Sequence, residues 1–408
     1  MKNTFNFIGS AALLWSALSC NPQEETIQLE NGQVEVPADI KINQIQVLGT
    51  HNSYAKPVDT AVFNLVEPIF EKMMGQFAAS MSAEQRAKYK EYHPNEMPIS
   101  SMLAYEHPDF NTQLDAGLRS LEIDVYYDPT GNRFNKPATY EILKQKGKTD
   151  LAPFDTEGLD QPGFKVLHMA DIDFRTYYPT FQKALETLKN WSDAHPSHTP
   201  IFIMIEAKDQ GFPIFPNSSE VLPFTEQAFD ELDNLVVSVL GKDKIITPDQ
   251  VRGDFKTLEE GILAQNWPTL KESIGKFVFM LLPSAGGMSA ESPYVKSHPA
   301  LENRIMFVQS ERGQDHAGFL LLDNAIVRQE DIKEAVKKGY LVRTRSDIET
   351  YEAKVNDMSR ANAAFESGGQ VVSTDFFRPG NSYGTDYVVK MPNELPMRLN
   401  PVNSNTEK

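Results

Sequence analysis

Two histidines and a set of acidic and amide side chains stand where short apolar runs give way to polar sequence. His51 and Asn52 close the segment Gly49-Thr50-His51-Asn52-Ser53-Tyr54. Glu122 and Asp124 lie in LRSLEIDVYYD, His168 in LHMADIDF, Glu206 in IFIMIEAKD and Asp375 in VVSTD. Glu122 and Asp124 are two residues apart, so on a strand both side chains leave the same face. If these ends meet, Asn52, Glu122, Asp124 and Glu206 offer only hard oxygen donors. Such donors suit a hard cation, calcium in particular, better than zinc. Two histidines beside a cation suit proton transfer at a phosphodiester, one taking a proton and the other giving it to the leaving oxygen.

The elements that must position these groups are short β-branched or apolar runs. Strands are expected at 44–50, 119–126, 164–169, 200–206, 276–282, 304–309, 339–344 and 370–375, with 319–323 as a possible ninth. Helical patterns fall between them. Phe181, Ala184, Leu185, Leu188 and Trp191 share one face, as do Phe229, Leu232, Val236, Val239 and Leu240, with Gly241 as the stop. Ser346-Asp347-Ile348-Glu349 has the form of a capping box opening a helix to about Glu366. Eight strands alternating with helices imply an α/β fold, a (β/α)8 TIM barrel, in which reactive groups gather at the strand ends. In a barrel both strand faces are covered, so Glu122 and Asp124 would be costly to bury without a cation.

Composition narrows the partners. The 408 residues carry 39 Lys and Arg against 56 Asp and Glu, a net charge of −17, which argues against nucleic acid held by bulk charge. The one cysteine, Cys20, excludes an intramolecular disulfide and a cysteine-rich zinc site. It follows an apolar stretch at 5–18 and the segment Ala17-Leu18-Ser19-Cys20, which resembles a divergent bacterial lipobox. The expected product is an exported, lipid-anchored protein at a membrane surface. A plain secretory signal with an incidental cysteine is the competing reading. The expected division is a signal over 1–19, a polar tether over 20–41, one catalytic domain over 42–395 and a polar surface tail over 396–408.

The four blocks GTHNSY, LRSLEIDVYYD, LHMADIDF and IFIMIEAKD occur in the order found in phosphatidylinositol-specific phospholipase C catalytic domains. The segment NWPTLKESIGKFVFMLL is similar to the approach to the fifth strand in the secreted, calcium-dependent bacterial branch. The resemblance spans about residues 42–380, with the loops 56–108 and 207–265 as features peculiar to this chain. It implies His51 and His168 as the catalytic histidines and Asn52, Glu122, Asp124 and Glu206 as calcium ligands. The implied reaction is attack of the inositol 2-hydroxyl on phosphorus, releasing diacylglycerol and a cyclic inositol phosphate from a phosphoinositide. In that reaction His51 is a base or charge stabiliser and His168 the acid at the leaving oxygen, while Glu122 remains an alternative base.

Three residues carry two readings each. Asp375 either orients His51 or caps a turn. Arg119 either pairs with a ligand carboxylate near substrate or closes the barrel floor. Lys208, two residues after Glu206, either reaches a phosphate oxygen or is solvated. Two other functions share these features. A glycerophosphodiester phosphodiesterase uses the same barrel but begins with a His-Arg-Gly pattern that His51-Asn52-Ser53 lacks. A catalytically inactive lipid- or glycan-binding lipoprotein would not need to keep both His51 and His168.

Overall fold

The computed structural model describes residues 25–283, 289 and 291–404. The apolar stretch at 5–18 and Cys20 lie outside the described residues. Two short strands, β1 (Thr26–Leu29) and β2 (Val34–Pro37), form an antiparallel hairpin. Then follow β3 (Ile45–Thr50), β4 (Ser120–Asp128), β5 (Gly163–Val166), β6 (Ile201–Ala207), β7 (Ile245–Ile246) and β8 (Phe277–Pro283). β9 (Met306–Val308), β10 (Phe319–Leu321), β11 (Leu341–Arg345), β12 (Val371–Thr374) and β13 (Met397–Leu399) complete the set.

Parallel pairing runs β10-β11-β12-β3-β4-β6-β8, and β9 continues it along the upper part of β8. The path closes where Gln309, just past β9, bridges Phe319 of β10 in parallel register. Eight parallel strands therefore surround one interior, as the barrel reading expects. Their membership differs from the sequence expectation in one place. The run expected as the third barrel strand, 164–169, forms β5, which is antiparallel to the outer half of β4 with Val166 opposite Val125. The place left vacant is taken by β10, the possible ninth strand.

The helical faces hold. The helix Phe181–Ala194 starts at Thr180, whose side chain accepts from Lys183 N, and it buries Phe181, Ala184, Leu185, Leu188 and Trp191. The helix Glu226–Leu240 buries Phe229, Leu232, Val236 and Leu240 and stops at Gly241, where φ is +88°. The capping box at Ser346 does not form. Asp347 accepts instead from Asp375 N (2.9 Å) and Thr374 Oγ1 (2.6 Å), and Ser346 Oγ donates to Ser373 O (3.0 Å). With those side chains committed to the neighbouring strand, the segment makes two short helices, Tyr351–Val355 and Ser359–Ser367.

The described parts of both expected tails are built into the fold. The region read as a tether carries the β1–β2 hairpin, in which Leu29 is fully buried. At its turn Glu30 reaches the barrel floor, where Arg119 Nε donates to Glu30 Oε1 (2.9 Å). The Arg119 guanidinium also donates to Leu114 O (2.8 Å) and Leu118 O (2.7 Å) and lies over the Trp191 ring. Arg119 precedes β4, at the opposite end of the strands from the chemistry. It closes the floor, and the substrate-contact reading is corrected. The region read as a surface tail supplies β13, antiparallel to β3. Among the described residues no helix is long and apolar enough to cross a membrane.

Arg119→Ala leaves the Glu30 carboxylate buried without its partner. Breaking such a pair typically costs about 3–5 kcal/mol, so the thermal midpoint should fall clearly. A loss under about 1 kcal/mol would mean the hairpin is not fastened through this pair.

Candidate active site

The first block of the site shows why each of its residues has its type. Gly49 lies opposite Ser120, the single register pair joining β3 to β4. A Cβ on Gly49 would fall 2.4 Å from Ser120 Cβ and its carbonyl oxygen, so only glycine permits this approach. Beyond that pair the strands part, and the chain turns at Asn52, whose φ of 45° is one that asparagine tolerates. The turn brings Ser53 back to β4. Ser53 N donates to Glu122 O (3.0 Å), and Glu122 N donates to Ser53 Oγ (2.8 Å). Gln113 pins the turn by donating to Ser53 O (2.6 Å) and accepting from Thr50 Oγ1 (2.6 Å).

Glu122 and Asp124 point inward from β4, while Leu121, Ile123 and Val125 pack outward and are fully buried. Glu206 is level with Asp124 on the adjacent strand β6. One oxygen from each of Glu122, Asp124 and Glu206 lies within 4.8 Å of the others, a group that could hold a metal ion. Asp124 is completely buried, yet its Oδ1 has no hydrogen-bond donor and its Oδ2 meets only the Lys208 ammonium, at 3.0 Å. Buried carboxylate oxygens without donors are what a cation site requires, so the residues present fit the hard cation expected of them. Asn52 is held beside them. Its Nδ2 donates to Tyr105 Oη (2.6 Å), and its Oδ1 accepts a longer bond from Tyr54 (3.3 Å).

Positive charge surrounds this cluster. Arg343, on β11, donates from Nη2 to Glu122 Oε2 (3.0 Å) and from Nη1 to Asp323 Oδ1 (2.7 Å). Lys208 Nζ lies 3.0 Å from Asp124 Oδ2 and 2.9 Å from Glu206 Oε1. Burial, opposed by Arg343 and reinforced by Asp124 and Glu206, raises Glu122 above the ordinary carboxylate range. Burial also raises Asp124, against the pull of Lys208. For Lys208 burial acts in the other direction, but Asp124 and Glu206 overcome it and hold the amine well above the usual lysine value.

The two histidines face each other across this floor with ring centroids 6.4 Å apart. His51 Nδ1 lies 3.2 Å from Asp375 Oδ1, and its Nε2 lies 4.0 Å from Glu122 Oε1. Burial, reinforced by Arg345 and opposed by Asp375, pushes the His51 imidazole down to about 3. Although burial opposes it, His51, His107 and Arg345 hold Asp375 well below the ordinary carboxylate range. The contacts behind this are Arg345 Nη2 on Asp375 Oδ2 (3.1 Å) and His107 Nε2, which is 3.6 Å from Oδ1 and 2.8 Å from His51 O. His168 is oriented differently. Its Nδ1 lies 2.9 Å from Asp173 Oδ2, and its carbonyl accepts from Tyr126 Oη (2.9 Å). His168 arrives on the antiparallel β5, so it comes down onto the mouth from above rather than rising with a barrel strand.

The structure thus brings His51, His168, Asn52, Glu122, Asp124, Glu206, Asp375 and Lys208 together, and leaves Arg119 at the floor. Arg343, Arg345, Asp173, Tyr105 and His107 complete the site without having been singled out. Arg343 and Arg345 carried the same signal as Glu122 and Asp124, two charges on one face of a strand. Asp173 stands inside the LHMADIDF block. Tyr105 and His107 come from the 56–108 insertion and show no sequence pattern. That insertion also walls a cavity of about 320 Å³ beside Asp375 and Tyr105, lined by Phe63, Leu103, Phe376 and Arg378.

A family model described as Phosphoinositide phospholipase C, Ca2+-dependent, matches residues 40–401. The fold is similar to that of a calcium-dependent phosphoinositol-specific phospholipase C from a Gram-negative bacterium, Pseudomonas sp., in its apo form. That likeness has a TM-score of 0.51 and 16% identity, covering 89% of this chain and 97% of that one. A myo-inositol complex from the same source gives a TM-score of 0.50 at 16% identity, covering 89% of this chain and 96% of that one. No curated protein sequence matches the chain.

Calcium at about a hundredfold excess over its Kd should stabilise the protein by about 2.7 kcal/mol, seen as a rise in thermal midpoint. Asp124→Asn should lose most of that rise, and an undiminished rise would remove Asp124 from the ligand set. A carboxyl raised in the folded state favours folding while protonated and loses that contribution as pH climbs through its raised value. Cation binding must therefore expel protons from Glu122 and Asp124, and the calcium-induced rise should grow between about pH 5 and pH 8.

Proposed function

The chain belongs to the calcium-dependent phosphoinositide phospholipase C family, and we propose that the mouth described above cleaves the glycerol–phosphate ester of an inositol phospholipid. The 2-hydroxyl of the inositol attacks phosphorus, and the products are diacylglycerol and a cyclic inositol phosphate. Asn52, Glu122, Asp124 and Glu206 would hold the calcium. When bound there it supplies positive charge against the phosphoryl oxygens and acidifies a nearby hydroxyl.

The observation that carries this reading is the unlike environment of the two facing histidines. His51 is neutral near pH 7, being pushed down to about 3. With Asp375 accepting at Nδ1, the proton sits on that nitrogen and the Nε2 lone pair is free to take the proton of the attacking hydroxyl. Arg345 holds the far oxygen of Asp375, so the carboxylate orients the ring without itself needing a proton. Glu122, the alternative base, is the weaker candidate because Arg343 occupies one of its oxygens.

His168 sits on the opposite side. Asp173 at Nδ1 orients the ring and leaves Nε2 to carry the proton given to the departing glycerol oxygen. With ring centroids 6.4 Å apart, both imidazoles border one mouth, so the proton taken by one ring is matched by a proton given by the other.

Incubation with phosphatidylinositol and calcium should give a cyclic inositol phosphate signal in phosphorus NMR, abolished by chelator. His168→Ala should slow cleavage of the natural lipid by about 10²- to 10⁴-fold. A substrate whose leaving group needs no proton should suffer much less. Equal losses on both substrates would rule out His168 as the acid.

A further inference from the structure

Lys208 stands where a cation would. Its ammonium touches two of the three acids that form the metal-ligating cluster, 3.0 Å from Asp124 and 2.9 Å from Glu206, and its side chain is only 13% exposed. Its backbone is fixed, because Lys208 N donates to Val125 O (2.9 Å) in continuation of the β4–β6 pairing. Above that anchor a flexible four-carbon stem carries the charge. Arg343 is held otherwise. It spans from Glu122 to Asp323, with both Asp323 oxygens within 2.9 Å of Nη1, and so has a second carboxylate to keep it in place. The two carboxylates that Lys208 meets, by contrast, both belong to the cluster.

A calcium ion needs its oxygen ligands at about 2.3–2.6 Å. An ammonium seated on two of those ligands occupies the same space and brings a like charge. We propose that Lys208 is a built-in counter-cation: it neutralises the acid cluster when calcium is absent, leaves when calcium binds, and so sets the calcium affinity. This rests on the reading that Glu122, Asp124 and Glu206 hold calcium. The buried cluster thereby avoids standing as uncompensated charge in the calcium-free protein, which would otherwise oppose folding. The cost is that calcium must displace a paired ammonium before it can enter.

The test is calcium titration by calorimetry on the full chain and on Lys208→Met, which keeps an unbranched stem one atom shorter and removes its charge. Removing a like charge a few ångströms from the ion should tighten calcium binding by on the order of tenfold or more. The same variant should melt at a lower temperature in chelator and recover with calcium. Unchanged or weaker calcium binding in Lys208→Met would overturn the proposal while leaving the calcium site standing. Failure of both proteins to bind calcium would overturn the site itself, and the role of Lys208 with it. A second measurement needs no variant. In the unmodified protein, acetylation of Lys208 followed by mass spectrometry should be faster with calcium than with chelator. Equal or slower labelling with calcium would show that the amine does not leave.

Discussion

Two carboxylates buried side by side, with a third half-buried against them, demand that positive charge be built in beside them. Glu122, Asp124 and Glu206 are placed that way by strand register alone, two on alternate positions of β4 and one level with Asp124 on β6. The surrounding structure answers that demand. Arg343 reaches across the barrel from β11, Lys208 folds over the cluster from the end of β6, and Asp124 Oδ1 remains without a donor. The arrangement is poor as a device for stability, because burial of ions rarely repays its desolvation. It makes sense as a socket whose charge is completed by calcium, on which the family depends.

The catalytic groups are hung around this socket by elements of different kinds. Gly49 and the Asn52 turn let β3 approach β4 and then leave it, so that His51 faces the socket while Ser53 seals the seam. The 56–108 insertion closes the back, giving Tyr105 to Asn52 and His107 to Asp375. The antiparallel β5 lowers His168 onto the other side. The result is two imidazoles of contrasting character over one cation site. One has Asp375 at Nδ1 with Arg345 behind that carboxylate, and the other has Asp173 at Nδ1. That contrast allows one ring to take a proton while the other gives one.

Much of this was legible in the residues themselves. His51 and Asn52 just past β3, Glu122 and Asp124 within β4, and Glu206 near the end of β6 stand in short blocks, where alternation decides the facing of the strand residues, and the structure gathers them. His168 was reached through its motif but on the wrong element. An apolar run of strand length does not reveal its direction, and FKVLHM reads the same parallel or antiparallel. The true barrel member β10 has three residues, too few for a periodic pattern to separate it from a loop. The hairpin over Thr26–Pro37 was hidden in acidic sequence because its stability comes from Leu29 and the Glu30–Arg119 pair, a long-range contact. The capping box at Ser346 failed for a similar reason, since Asp347 found better donors on the adjoining strand. In each case a tertiary partner outweighed a local preference.

The central claim is that the acid cluster is a calcium socket whose charge is carried by Lys208 when calcium is absent. A crystal structure with calcium, with the ion located by its anomalous signal, tests it most directly. One ion should lie about 2.3–2.6 Å from oxygens of Asn52, Glu122, Asp124 and Glu206, with the Lys208 amine withdrawn from Asp124 and Glu206. An ion bound elsewhere, or a cluster still occupied by Lys208 at saturating calcium, would contradict the account.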